Sequence, residues 1–128
     1  MGVSATIITN NPAVQKKAFE NSEIIYLENS DFLGVICFVR DKIHEGHRLL
    51  THPLSGSVKP GETPYKSVLI SKDRGGLDMD SLKIIEGSIA AVNVQMNTRR
   101  AVPERLLEDF QLIDLDLIIS GINSMNRR

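Results

Sequence analysis

At 128 residues the chain is within the range of one domain and long enough to bury a core without a disulfide or a metal, so one α/β domain over residues 1–128 is expected. Hydrophobic residues at 41% and charged residues at 24% exclude a disordered chain, and a formal net charge of -1 excludes a global attraction to nucleic acid or anionic lipid.

In chain order, Thr6-Ile7-Ile8-Thr9 is a β-branched run that predicts a first strand. Asn10-Asn11-Pro12 turns into a helix with Asn11 as N-cap and Pro12 at its first position, placing Val14, Ala18 and Phe19 toward the core. Glu23 to Leu27 is a second strand. Ser30 or Asp31 then caps a helix whose apolar face is Phe32, Ile36, Val39 and Ile43, closed by Gly46. Arg48-Leu49-Leu50-Thr51 predicts a short third strand. Residues 52–64 hold Pro53, Pro60 and Pro64 with Gly56 and Gly61, which excludes regular structure, and a connection of that length is usually functional or disordered. Ser67 to Ser71 supplies a fourth strand. Gly75-Gly76 leads to the most periodic helix, capped by Asp78 or Asp80, with Leu82, Ile85, Ile89, Val92 and Met96 as its stripe. Pro103 opens a last region where Leu106, Phe110, Ile113, Leu117 and Met125 keep helical spacing. Leu115, Leu117 and Ile119 also alternate like a strand; helix is the favoured reading.

This order predicts a three-layer α/β/α fold with a short, mostly parallel four-stranded sheet, in the Rossmann-like or flavodoxin-like order 2-1-3-4. In such sheets ligands bind beyond the carboxyl ends of the strands, where the connections diverge. Polar segments gather at that edge. Thr9, Asn10 and Asn11 end the first strand and begin a helix; Thr51, His52, Ser55, Gly56 and Ser57 follow the third. Backbone amides near Asn11 and the hydroxyls of Ser55 and Ser57 are expected to hold a small anion, phosphate or carboxylate, with Lys59 or Lys66 as countercharge. His52, titrating near neutrality, is the candidate for catalytic proton transfer or for orienting the ligand. Each feature also has a plainer reading. Asn10 and Asn11 cap a helix with or without a ligand, Ser55-Gly56-Ser57 is turn chemistry, His52 bonds loop backbone, and the lysines are solvated.

Other signals are few. Cys37 has no disulfide partner and no metal-ligand spacing, and among Val35, Ile36, Phe38 and Val39 it reads as a buried thiol. Neither a P-loop nor a dinucleotide fingerprint is present, so no cofactor or metal is expected. Asp114 and Asp116 are misplaced for a carboxylate dyad on a helix. With 5% aromatic residues and no Trp, a stacking platform for single-stranded nucleic acid is not expected. The longest apolar run is far short of the roughly 20 residues that cross a bilayer. The N-terminus enters a strand without a basic region and apolar core, so a cytoplasmic location is expected.

Three stretches together carry a family likeness: Thr6-Ile-Ile-Thr-Asn-Asn-Pro12, Leu50-Thr-His-Pro-Leu-Ser-Gly-Ser-Val-Lys-Pro-Gly-Glu-Thr-Pro-Tyr-Lys66 and Asp109-Phe-Gln-Leu-Ile-Asp-Leu-Asp116. The chain resembles the GrdX family, small proteins encoded with the selenium-dependent glycine reductase of anaerobic amino-acid-fermenting bacteria. The resemblance implies an accessory protein in amino-acid reduction, not a catalytic subunit, and it assigns no ligand or catalytic residue. Three functions stay open: a small-molecule or anion-binding module, an assembly protein docking a glycine reductase component, or a small enzyme using His52. The last region is apolar on more than one side, which adds the expectation of a homodimer.

Overall fold

The computed structural model describes residues 4–17, 19, 22–55, 62–96 and 102–126. Its elements are β1 (Ala5–Thr9), α1 (Pro12–Lys16), β2 (Ser22–Tyr26), α2 (Phe32–His44), β3 (Ser67–Ser71), α3 (Met79–Met96), a 3-10 turn at Glu104–Leu106 and α4 (Leu107–Asn126). The caps follow side-chain chemistry. The Asn11 side chain accepts from the Ala13 amide, Asp31 from Gly34 at 2.8 Å, and Asp78 from Ser81 at 3.1 Å. Gly46 ends α2 at φ 106, and a Cβ there would strike the carbonyl oxygen of Gly75, so backbone angle and close approach both require glycine.

The sheet corrects the sequence-based expectation. It has three strands in the order β2-β1-β3, not four mostly parallel strands in the order 2-1-3-4, and the Rossmann-like or flavodoxin-like order falls with it. β1 pairs parallel with β2, Ile7 opposite Ile24, and antiparallel with β3, Ile7 opposite Leu69. The expected third strand reduces to one antiparallel bridge, Leu49 to Ile70, on the outer side of β3. The reason lies in its donors. The Ser71 amide donates to the Arg48 carbonyl at 2.8 Å and the Leu50 amide to the Leu69 carbonyl at 2.9 Å, but neither bond is returned to a carbonyl. The Arg48 amide donates instead to the Ser71 hydroxyl at 2.8 Å, and the Leu69 amide to the Thr51 hydroxyl at 3.0 Å. The direction of β3 follows from its connection. Parallel neighbours need a crossover, usually a helix, that covers a sheet face, and the Pro/Gly-rich segment after Thr51 supplies none among its described residues.

Helices lie on both faces of the sheet. On one side Ile8, Val68 and Ile70 pack against Ile36 and Val39 of α2 and Ile85, Ile89 and Val92 of α3. On the other, Ile7 and Leu69 pack against Val14 of α1 and Ile118 of α4. Residues 111–122 are helical throughout. No described helix is long and apolar enough to cross a membrane.

Candidate functional site

Because β3 runs antiparallel to β1, its first residues, not its last, lie beside the carboxyl end of β1. There Thr9, Asn11 and Ser67 converge on a carboxylate from α4. Asp114 accepts from the Ser67 amide at 3.0 Å, the Ser67 hydroxyl at 2.7 Å and the Asn11 side-chain amide at 2.9 Å. Asn11 also donates to the Gln111 carbonyl at 2.8 Å. Thr9 closes the network, its hydroxyl 2.7 Å from Ser67 Oγ and accepting from the Asn11 amide at 2.9 Å. All four residues are buried. The Asn11 side chain and the Ser67 hydroxyl are thus engaged by a carboxylate of the chain itself.

Asn10 acts as a staple. Its carbonyl oxygen accepts from the Lys66 amide at 2.9 Å, and its nitrogen donates to the carbonyls of Ser30 and Pro64 at 2.9 and 2.8 Å. This fixes Lys66 at the mouth of the sheet edge. Lys66 is only 7% exposed, and its ammonium lies 5.8 Å from the Phe32 ring centroid. The ammonium forms no hydrogen bond or ion pair with any described residue. Among the described residues every fully enclosed side-chain nitrogen or oxygen has a hydrogen-bond partner, so the Lys66 amine, which has none there, is not fully enclosed. Burial pushes its pKa below the ordinary lysine value, and the nearby Asp114 charge offsets part of the drop.

Two hollows share Lys66, Ser55 and Leu117 as lining. The smaller, about 20 Å³, adds Phe32, Thr63 and Tyr65 and has room for about one water. The larger, about 260 Å³, adds Thr51, Ser67 and Gly121. Together they form a groove between α4 and the segments flanking the Pro/Gly-rich connection. A Cβ at Gly121 would sit 2.8 Å from Thr51 Cγ2, so glycine lets α4 approach. A separate hollow of about 370 Å³ lies at the opposite sheet end, between Arg48, Arg74 and Asp78.

The expected site residues therefore divide. Thr9, Asn10 and Asn11 form the floor and its staple, while Thr51, Ser55 and Lys66 line the groove. Thr51 Oγ1 is taken by the Leu69 amide at 3.0 Å. His52 is exposed, lines neither hollow, and accepts from the Leu54 amide through Nδ1 at 3.1 Å, while its carbonyl accepts from the Ser55 hydroxyl at 2.9 Å. Gly56, Ser57 and Lys59 lie outside the described residues. Sequence reasoning missed Asp114, Thr63 and Tyr65. For Asp114 a signal existed, a carboxylate set on the same helical face as Ile118.

A family model described as GrdX-like protein matches residues 6–123. The chain belongs to the GrdX-like protein family. The match runs from β1 nearly to the end of α4, so the groove of this GrdX-like protein, Lys66 and Asp114 included, lies wholly within the family region. Comparison with curated proteins and with solved structures found no match.

Proposed function

We propose that this GrdX-like protein is a small-molecule-binding module, an accessory to glycine reduction in the cytoplasm, whose ligand enters the groove and meets the Lys66 ammonium. The observation that carries the reading is that Lys66 is buried without an ion-pair partner among the described residues. A lysine held this way costs stability, since burial disfavours its charge and the Asp114 charge offsets only part of the loss. Groups that cost stability persist where they serve a ligand. One lysine charge beside one aspartate favours a small carboxylate or a singly charged phosphate over a highly charged anion. The accessory role itself rests on the family resemblance.

The test is thermal unfolding of the parent, Lys66→Met and Ser55→Ala with phosphate, acetyl phosphate and glycine. A ligand at a hundredfold excess over its Kd stabilises by about 2.7 kcal/mol. That gain should appear in the parent, weaken in Ser55→Ala and vanish in Lys66→Met. If no anion shifts the parent, the reading fails. A second reading, docking, is favoured by Leu112, Ile113 and Leu117, which α4 leaves exposed. We assign that face to a second copy of the chain, or to a glycine reductase component.

A further inference from the structure

We infer that Lys66 is a nucleophile that condenses with a small aldehyde or 2-oxo acid to form an imine in this groove, an inference that rests on the groove being the ligand site. Enclosure is the first ground. Lys66 is 7% exposed, yet its amine is not fully enclosed and bonds no described residue. A structural lysine spends its donors on a carboxylate or a carbonyl; this one spends none on a described residue. Space is the second. About 20 Å³ beside the amine and about 260 Å³ adjoining suit a compound of a few heavy atoms.

Charge is the third ground. Asp114 acts on Lys66 through space, but its oxygens are held by Ser67 and Asn11 and not by the lysine. The Asp114 charge weakens the pull of the lysine on an anion, so anion attraction alone does not account for the pair. The protonated imine is a cation, as the resting ammonium is, and Asp114 stabilises both, while the neutral amine and the carbinolamine between them carry no charge. Burial also lowers the lysine pKa, so the neutral, nucleophilic amine forms more readily than on a surface lysine.

The step balances without an oxidant or reductant. The nitrogen lone pair forms a bond to the carbonyl carbon while the C=O π pair moves to oxygen; nitrogen loses a proton and oxygen gains one, giving a carbinolamine. The nitrogen pair then forms the C=N bond as the hydroxyl leaves with a proton as water. Tyr65, which lines the same hollow as Lys66, is the candidate to give that proton. Its oxygen accepts from Gln111 Nε2 at 2.9 Å, and its O–H donates to no described residue.

The experiment treats the intact protein with limiting pyruvate, glyoxylate or acetaldehyde at neutral pH, with cyanoborohydride to fix any imine, and maps the adduct by peptide mass spectrometry. Adduct occupancy at Lys66 should exceed that at the exposed Lys72 and Lys83 severalfold, since burial holds more of its amine in the neutral form. Labelling by the two acids but not by acetaldehyde would add the carboxylate to what is recognised. Even labelling of all lysines, or none at Lys66, overturns the inference. Thermal shifts without reductant separate the two readings. A shift with no Lys66 adduct keeps the groove as a ligand site and removes the imine, whereas no shift and no adduct removes both. Lys66→Arg keeps the charge and should lose the adduct; should it fail to fold, the mapping on the unmodified chain decides alone.

Discussion

Replacing Asp114 with alanine removes the acceptor of three hydrogen bonds at once. The Ser67 hydroxyl can stay bonded to Thr9 Oγ1, 2.7 Å away, but the Ser67 amide and one hydrogen of the Asn11 side chain are left buried without partners. A stranded buried donor costs about 1–3 kcal/mol. Removing a buried carboxylate returns part of its own desolvation, so the net loss should be about 2–4 kcal/mol. For a domain of this length that corresponds to a fall in Tm of roughly 10 °C. Urea unfolding gives the free energy directly, with m unchanged if the native fold persists. Asp116→Ala, on an exposed position of the same helix, is the control and should stay within about 0.5 kcal/mol of the parent. A loss below about 1 kcal/mol for Asp114→Ala, or equal losses for both variants, would refute the view that Asp114 ties α4 to the sheet edge.

Ile89→Ala, on the face of α3 packed against α2 and the sheet, should cost about 2–5 kcal/mol in the same assay; a loss under about 1 kcal/mol would mean the stripe is loosely packed. Lys66 titrates below the ordinary value of 10.5, so between its folded value and 10.5 the unfolded chain binds more protons, and stability rises with pH there. Lys66→Met should therefore raise Tm at neutral pH, by a margin that shrinks toward pH 10.5; a lower Tm at every pH would show the ammonium to be structurally bonded. The Ser81 hydroxyl and amide hold the Asp78 carboxyl below its ordinary 3.8, so its contribution is complete above that pH and is lost as pH falls through the folded value. Asp78→Asn should flatten that part of an acid-unfolding curve, and an unchanged acid limb would count against the cap. Sedimentation at tens of micromolar should show a dimer that Leu112→Lys dissociates, whereas a monomeric parent would leave the α4 face to another partner.

The elements were largely legible because they rest on local chemistry. Asn11-Pro12 and Asp31 announce helix starts, and Ile85, Ile89 and Val92 mark a buried stripe through their spacing alone. The sheet was less so. A strand's own residues do not record its direction, and Ser67-Val-Leu-Ile-Ser71 reads the same whichever way it runs. The usable clue was the helix-free connection before it. Nothing local told that the amides of Arg48 and Leu49 would be taken by serines of β3 and α3. In the site, Lys66 and Asn10 stood among the candidates, but the reason for them was different. Asn10 holds backbone in place, and by spacing Asp114 reads only as a poor partner for Asp116. Its place on the face of α4 turned to the sheet, with Ile118, was the better guide.

The position of β1 at the centre of the sheet sets a condition on the nascent chain. β2 follows soon after β1 on the ribosome, but the partner for its other side is far off: Thr9 and the Ser67 it meets are 58 residues apart. At a synthesis rate of about 5–20 residues per second, that side waits roughly 3–12 s for β3. During the wait β1 offers an unpaired strand edge to any neighbouring chain on the same messenger. No charged gatekeeper can be placed within it, because all five of its residues are buried once folded. Recovery of soluble protein will therefore depend on how slowly nascent chains meet one another compared with how quickly Ser67 to Ser71 emerge.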